Sequence, residues 1–411
     1  MGKTLVEKIL AQHSNEEIAP GRIVWIGIDV RSARDFGGAN VVRNFNKYYP
    51  GERVEDVSKT FFTFDCNVPA NTIPYANNQQ ICRNFAKEQG IKVYDVDAGI
   101  GSHVMIEEGI GFPGSTVVGT DSHLNIMGAV GAFGQGMGDQ DIAFVFKTGK
   151  TWFEVPESIV VNVQGDLPSN CSAKDLTLAI IGKLGTKSAL GKAIEFRGPA
   201  IDRLTLAGRI TLASMATEMG AIIGLIVPNR EVLGHFGQVE ALLPDFDANY
   251  ADTIDIDIGN IKPKIAKPPK PDNVVDVESL AGTEIHSVFV GSCTNGTYED
   301  LVKVSAMVKG RSIKDGIVAT LVPATMKVYK RLLAEGHIAT LIEAGFVVSN
   351  PGCGGCASGQ IGMTGEGQVH VSTSNRNFTG KQGAGDTYLA SPETAAASAL
   401  LGRIATAEEV A

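Results

Sequence analysis

Short apolar runs alternate with amphipathic stretches along the first 260 residues of the chain. GRIVWIGIDV, SIVVNVQGDL and DTIDIDIG have the length and the β-branched content of buried strands, whereas AKDLTLAIIGKLG and GRITLASMATEMGAIIG have the period of helices. This alternation predicts an α/β architecture. Because 411 residues exceed the size at which a single hydrophobic core stops growing, we expect two or three domains.

A segment rich in proline and lysine divides the chain. IKPKIAKPPKPDN, residues 261–273, holds four prolines and four lysines and has no apolar period. This composition predicts a stiff, solvated linker over residues 261–275, with residues 1–260 before it and a further α/β unit, residues 276–411, after it. The alternative interpretation is a surface loop inside one domain.

The composition excludes several classes of protein. Apolar residues make up 44% of the chain and charged residues 20%, and the formal net charge of −9 argues against nucleic acid as the main partner. The sequence has no apolar run of the roughly 18 residues that span a bilayer, and its amino end has no signal-peptide core. We therefore expect a cytoplasmic protein without a membrane partner.

Chemically reactive side chains follow successive strand-like runs in the last third of the chain. HSVFVGSCTNG leads to Cys293, FVVSN leads to Cys353 and Cys356, and QVHVSTSN leads to Arg376. In α/β sheets, ligands bind outside the carboxyl ends of the strands. We therefore expect these four side chains to meet at one edge of a sheet.

Three thiols in one place indicate a metal more than a disulfide. Six cysteines in this chain are too few for a disulfide framework, and a structural zinc ion would need a fourth ligand that the sequence does not offer at finger-like spacing. A redox pair made of Cys353 and Cys356 would leave Cys293 without a role. An iron–sulfur cubane held by three thiolates would leave one iron open as a Lewis acid. The remaining alternative is three unconnected core cysteines.

Other polar residues stand at positions that suit catalysis. Asp121 and His123 follow a strand-like run in VGTDSH, and His103 stands among glycines in DAGIGSHV. Glu218 lies in the otherwise apolar stretch ASMATEMGAIIG, where a carboxylate is costly unless it is paired. Each signal alone is weak, because a lone histidine of this kind is more often a structural residue than a catalytic one.

Taken together, the motifs resemble those of the aconitase superfamily, and in particular the large subunits of the 3-isopropylmalate dehydratase and homoaconitase group. The resemblance runs through nearly the whole chain, in family order. The motifs that carry it are TLVEKIL, GTDSH, GKTWFEVPE, AKDLTLAIIGKLG, GSCTNG, NPGCGGC, STSNRNF and YLASPETAAASAL.

The resemblance implies a fold, an activity and a partner. The fold is α/β, with three domains around a cluster-binding cleft, of which two are intertwined in residues 1–260. The activity is that of a hydro-lyase on a malate-like hydroxy diacid, such as 3-isopropylmalate in leucine biosynthesis. The partner is a separate small subunit with a mobile domain, which supplies a serine as the base.

The resemblance also implies roles for individual residues. Cys293, Cys353 and Cys356 would ligate a 4Fe–4S cluster with one open iron site. The catalytic group would comprise Asp65, Cys66, His103, Asp121, His123 and Glu218. The substrate would be bound by Asp35, Ser374, Asn375, Arg376 and Lys381.

Five features depart from the family pattern. Cys66 replaces the usual histidine after Asp65, Lys381 replaces a second arginine, and Arg34 stands where histidine is common. Ser214 stands where asparagine is usual, and GCGGC replaces GCGPC. A thiol donates a proton less readily than an imidazolium ion, and lysine keeps the charge of arginine but loses its planar fork. Two interpretations stay open: a hydro-lyase, or a diverged iron–sulfur protein with a binding or regulatory role.

Overall fold

The structure, a computed structural model, describes residues 2–237, 239–356 and 360–410. The predicted α/β class is confirmed, because three sheets made mostly of parallel strands are flanked by helices. Two predicted boundaries lie outside the described residues: residue 1, where the first unit begins, and residue 411, where the third unit ends. Residues 357–359 of the cysteine loop also lie outside them. In the described part, no helix is long and apolar enough to cross a membrane.

The first sheet has five parallel strands. In spatial order the strands are Lys92–Tyr94, Thr60–Thr63, Val30–Arg34, Thr116–Gly119 and Phe133–Gly136. The helices of this part of the chain are Leu5–Gln12, Gly38–Tyr48, Ile73–Gln89, Gly101–Glu107, Asp139–Thr148 and the 3₁₀ helix Leu124–Val130. Phe62 packs edge-on against Phe85 and Phe146 beneath this sheet, which fixes two helices on its face.

The second sheet has four parallel strands. In spatial order the strands are Ile223–Ile226, Ala193–Arg197, Ser158–Gln164 and Asp252–Asp257. Its helices are Ala173–Leu184, Pro199–Asp202, Leu206–Ser214, Arg230–His235 and the 3₁₀ helix Thr217–Met219.

The helix predicted over residues 208–224 is shorter in the structure. It ends at Ser214, and the rest of the stretch forms the 3₁₀ helix Thr217–Met219 and the strand Ile223–Ile226. Gly220 has φ of 83°, a left-handed conformation that ends helical structure. The apolar pattern did not reveal this break because the short strand is buried on all sides.

The third sheet has seven strands. In spatial order the strands are Val274–Asp276, Lys264–Ala266, Asp386–Ala390, Val369–Ser372, Ser287–Val290, Val318–Leu321 and Val347–Val348. The last five are parallel, and the first two join the edge in antiparallel pairs. Its helices are Ser292–Asn295, Tyr298–Val308, Met326–Ala334, His337–Ala344 and Pro392–Leu401, with the 3₁₀ helices Val277–Leu280, Gly354–Cys356 and Ala407–Val410.

The segment 261–275 is more ordered than the predicted solvated linker. Lys264–Ala266 and Val274–Asp276 pair with each other, and the first of these strands also pairs with Asp386–Ala390. Ile265 and Ala266 are fully buried between the lysines and prolines around them, so this hairpin is anchored in the third sheet. The domain limits themselves stay a prediction.

GRIVWIGIDV is two strands instead of one. Ile23–Gly27 pairs antiparallel with Lys150–Glu154 in a separate two-stranded ribbon, and Val30–Arg34 is the central strand of the first sheet. The break falls at Ile28 and Asp29, where the amide of Asp29 donates to the carbonyl of Thr116 at 3.1 Å.

The carboxyl ends of strands from the first and third sheets face each other. The amide of Cys353 donates to the carbonyl of Asp65 at 2.9 Å, and the amide of Ile100 donates to the carbonyl of Ala324 at 2.8 Å. These contacts join loops that are distant in sequence. Because polar residues follow the strands at these ends, the contacts also position the candidate site.

Candidate active site

A cavity of 320 Å³ lies where the first and third sheets meet. Its walls come from loops at the carboxyl ends of strands in both sheets. The lining residues are Arg34, Phe36, Cys66, Tyr75, Thr120, Asp121, Ser122, His123, Cys293, Cys353, Cys356 and Lys381. The expected meeting of the three loop cysteines is therefore confirmed, whereas Arg376, the fourth side chain expected with them, is not among the residues that line this cavity.

The backbone around the three cysteines is unusual. Cys293 follows Ser292, which has φ of 73°, a conformation that side-chain-bearing residues seldom adopt. Cys353 precedes Gly354, which has φ of 57° and lies so close to Phe289 that a Cβ atom there would come within 2.7 Å of the ring. These constraints aim the thiols into the cavity.

The side chain of Asn375 lies between two of the sulfurs. Its Nδ2 donates to the Sγ of Cys293 at 3.5 Å, and its Oδ1 accepts from the Sγ of Cys356 at 3.5 Å. Burial raises the pKa of both thiols, that of Cys293 well above its usual range. A metal that binds here would therefore displace protons from the sulfurs. All three thiols are buried and line the cavity, and thiolates are the ligands of iron–sulfur clusters, so this donor set fits such a cluster. Among the described residues, a tighter donor group, with ligand atoms within 4.8 Å of one another, is formed by Asp65, Cys66 and Cys353.

Arg34 occupies the junction between the two sheets. Its Nε donates to Asp65 Oδ1 at 2.6 Å, its Nη1 to Asp121 Oδ1 at 2.8 Å and its Nη2 to the Sγ of Cys353 at 2.6 Å. The guanidinium is thus bonded to two carboxylates and one sulfur, and its side chain is only 12% exposed. The sequence marked Arg34 as a departure from the family but did not identify it as part of the site.

The two carboxyl groups beside Arg34 titrate differently. Burial raises the pKa of Asp65 to about 6, although Arg34 opposes this effect. Burial also disfavours ionisation of Asp121, but Arg34 and His123 outweigh it and lower the pKa of Asp121. Because their pKa values differ in this way, one carboxyl group can carry a proton while the other stays ionised.

A second network pairs the buried Glu218. Its Oε1 accepts from Arg376 Nε at 2.6 Å and lies 3.2 Å from His123 Nε2. Burial alone would raise the pKa of Glu218, but His123 and Arg376 together lower it. The expected partner for this carboxylate is therefore present, although Glu218 Oε2 has no bond partner among the described residues.

Asp35 and Ser374 are fully buried behind the cavity wall. The carboxylate of Asp35 accepts from the backbone amides of Asp65, Cys66 and Asn67 at 3.0 to 3.2 Å, so it shapes the loop that carries Cys66. The carbonyl of Ser374 accepts from Lys174 Nζ at 2.7 Å. The substrate contacts predicted for Asp35 and Ser374 are untested.

Lys174 is a buried cation that the sequence analysis missed. Its Nζ donates to the carbonyls of Thr373 and Ser374, directly before Asn375, and burial lowers its pKa to about 7. A lysine within an apolar helix, in AKDLTLAIIGKLG, was the only available signal. Lys174 fixes the loop on which Asn375 and Arg376 stand.

His103 and Lys381 line different cavities. Lys381 lines the main cavity. His103 Nε2 bonds the carbonyl of Cys293 at 2.8 Å, and its ring faces a separate cavity of 320 Å³ between helices Gly101–Glu107 and Leu206–Ser214. Burial lowers the pKa of His103. His103 therefore supports the Cys293 loop, and its predicted catalytic role stays a prediction.

The fold and the cavity define an α/β enzyme whose polar groups project from sheet edges into a cavity lined by cysteines. A family model described as "Aconitase family (aconitate hydratase)" matches residues 7–284 and 277–402. The chain belongs to the aconitase family. The expected enzyme class, a hydro-lyase, is thereby confirmed.

Named relatives match along almost their entire length. The 3-isopropylmalate dehydratase large subunit 1 of Methanopyrus kandleri is 42% identical over 412 residues, which cover 98% of each chain. The homoaconitase large subunit of Thermus thermophilus is 38% identical and covers 100% of this chain and 98% of its own. Aconitase X of Thermococcus kodakaraensis, in its holo form, is a solved structure with a TM-score of 0.51 and 12% identity over 85% of this chain and 84% of its own. This last likeness shows the fold alone.

Replacing Arg34 tests whether it joins the two sheets. In Arg34→Gln, the buried carboxylates of Asp65 and Asp121 lose their shared cation, so we expect the free energy of unfolding to fall by about 3–5 kcal/mol. Urea denaturation of the metal-free chain measures this loss. The control is Arg83→Gln, which removes a partly exposed ion pair with Asp95 and should cost about 1 kcal/mol or less. Equal losses in the two variants would contradict the assignment.

Proposed function

We propose that this chain is the large subunit of an iron–sulfur hydro-lyase that removes water from a malate-type hydroxy diacid and returns it. The substrate is 3-isopropylmalate or a homologous diacid, as the names of the relatives suggest. The observation that carries the proposal is that Cys293, Cys353 and Cys356 line the same cavity as Asp121 and His123. Return of water at the neighbouring carbon gives the isomeric hydroxy acid.

Lys381 in the cavity wall, together with Arg376, which reaches the cavity residue His123 through Glu218, suits a substrate with two carboxylates. Arg376 is 24% exposed, and only its Nε is bonded to Glu218 in the part of the chain that the structure describes. Its outer nitrogens remain available for the fork-like grip of a carboxylate. Lys381 supplies a second, point-like positive charge. The two residues would orient the diacid by its carboxylates.

Cys293, Cys353 and Cys356 would hold a 4Fe–4S cluster. When bound, the cluster supplies a Lewis acid that polarises a carboxylate and a hydroxyl group. Asn375 and Arg34 would then act on the cluster ligands, because they already donate to the sulfurs of Cys293 and Cys353. Hydrogen bonds of this kind orient metal ligands and tune the metal they hold.

Cys66 would donate a proton to the departing hydroxyl group. It lines the cavity, and its Sγ donates to Asp65 Oδ1 at 3.5 Å. The neighbouring Cys353 and burial raise the pKa of the Cys66 thiol well above its usual range, so this thiol keeps its proton at neutral pH. A bound thiol is a weaker donor than imidazolium, which predicts a slower proton transfer than in relatives with histidine.

A small subunit would complete the site. The relatives are named as large subunits, and a serine on the partner would remove the proton next to the substrate carboxylate. The place of the enzyme would be the cytoplasm, where its free thiols stay reduced, and its pathway amino-acid biosynthesis, with leucine biosynthesis as the first candidate.

The direct test of the function uses the reconstituted complex. The chain is expressed with a small subunit encoded beside it, loaded with iron and sulfide without oxygen, and assayed with 3-isopropylmalate, homoaconitate, citrate and methylated malates. We expect turnover of at least one of the diacids by the complex and none by the large subunit alone. A cluster-loaded complex that turns over none of them would favour the binding or regulatory alternative, and turnover by the large subunit alone would show that the base is misplaced.

Single serine variants test the cluster ligands. In Cys293→Ser, Cys353→Ser and Cys356→Ser we expect anaerobic reconstitution to give markedly less iron per chain and a weaker sulfur-to-iron charge-transfer absorption, because each variant removes one thiolate. Cys82→Ser and Cys171→Ser are the matched controls and should load fully. Full loading of Cys353→Ser would exclude this ligand set.

A further pair of variants tests the acid. In Cys66→Ser we expect turnover by the complex to fall ~10²–10⁴-fold, the range for a positioned acid, with iron content and melting temperature unchanged. Cys66→His should turn over at least as fast as the wild type, because an imidazolium ion is a stronger donor than a thiol. Cys171→Ser, a half-buried cysteine outside the cavity, is the control. Undiminished turnover in Cys66→Ser would refute the thiol acid.

A further inference from the structure

The two-stranded ribbon carries both tryptophans of the chain on one exposed face. Trp25 is 44% exposed and Trp152 is 53% exposed, and the two are directly opposite each other in the register of the ribbon. Ile23, on the same face, is 62% exposed. Large apolar side chains that cluster on a surface mark an interaction site, and tryptophan is enriched where proteins bind each other.

The ribbon borders a broader apolar surface. Trp25 and Trp152 line an open cleft of 480 Å³ together with Tyr48, Tyr49 and Phe144. Tyr48 is itself 46% exposed. Five aromatic side chains thus converge on one concavity, which offers a partner a pocket for a large apolar group.

The ribbon and the active-site cavity lie at opposite ends of the first sheet. Asp29, at the end of the ribbon, bonds Thr116, so the ribbon adjoins the amino ends of Val30–Arg34 and Thr116–Gly119. The cavity is built at the carboxyl ends of the same strands. A subunit bound over the cavity would therefore lie at the far end of this sheet from the ribbon.

The charges on the ribbon face are self-complementary. Along the strand Lys150–Glu154, the exposed side chains are Lys150, Trp152 and Glu154, so a cation and an anion flank the tryptophan. Lys150 Nζ lies 5.7 Å from the Trp25 ring centroid. A two-fold axis that runs across the ribbon through the tryptophan row reverses the strand direction of the second copy. It thereby sets Lys150 of each copy against Glu154 of the other, and Trp152 against Trp152.

We infer that the ribbon face, defined by Ile23, Trp25, Lys150, Trp152 and Glu154, is the contact between two copies of this chain. Two such sheets pack face to face at about 10 Å, a spacing that the tryptophans and their neighbours fill. An interface of this kind is self-complementary, as two-fold dimers require. The assembly then has two active sites that face away from the dimer contact.

Intrinsic fluorescence reports on this contact directly, because the chain has no other tryptophans. Dilution of the full-length chain should shift the emission to longer wavelength and increase quenching by acrylamide. The mass from sedimentation equilibrium should fall from dimer to monomer over the same concentrations. A chain that stays monomeric while its tryptophans remain exposed overturns the inference. So does a chain whose tryptophans become shielded only when a small subunit is added.

Charge reversal tests the arrangement. Lys150→Glu and Glu154→Lys each place like charges opposite each other at both ends of the dimer, so each should weaken dimerisation at least about tenfold. The double variant Lys150→Glu/Glu154→Lys restores the opposite-charge pairs and should return the dissociation constant to near that of the wild type. Lys330→Glu, on an exposed position of helix Met326–Ala334, is the control for net charge. Failure of the double variant to recover dimerisation overturns the two-fold arrangement.

Discussion

The contacts of Arg34 connect the parts on which the site depends. One guanidinium reaches Asp65 and Asp121 at the edge of the first sheet and Cys353 at the edge of the third. Two carboxylates and a cysteine loop could not lie so close together in a buried region without a shared cation, because each unpaired charge there costs several kcal/mol. Arg34 thus balances the charge of the site and sets the distance between two sheets that share no strands.

A layer of buried polar groups behind the cavity holds the lining residues in place. The carboxylate of Asp35 accepts hydrogen bonds from backbone amides of the loop that carries Cys66, and Lys174 donates to the carbonyls that precede Asn375. His103 bonds the carbonyl of Cys293. Each of these groups acts on backbone atoms of a loop. The loops therefore gain the rigidity that a site needs if its donors are to keep a fixed geometry when a metal and a substrate bind.

The sequence predicted the parts of the site that depend on strand ends. The meeting of Cys293, Cys353 and Cys356 followed from the rule that the carboxyl ends of parallel strands share an edge, and the need of Glu218 for a partner followed from its apolar surroundings. The contact of Arg34 with Cys353 joins residues 319 positions apart. Because no local pattern encodes such a distance, this contact emerged only from the packing of two sheets.

The errors in the predicted fold have local causes. Between Arg22 and Asp29, GRIVWIGIDV is a continuous apolar run, and its division between a ribbon and a sheet depends on the contact of Asp29 with Thr116. The ordered hairpin within 261–275 depends on the burial of Ile265 and Ala266. A composition rich in proline and lysine does not predict this burial. Both errors arise where tertiary contacts override composition.

Three cysteine thiolates would hold a 4Fe–4S cluster and leave its fourth iron open to a substrate. Mössbauer spectroscopy of anaerobically reconstituted protein, loaded with isotopically enriched iron, tests it most directly. We expect one iron with a spectrum distinct from the other three, and a change confined to that iron when the complex binds its diacid. Four equivalent irons that do not respond to any diacid would contradict it.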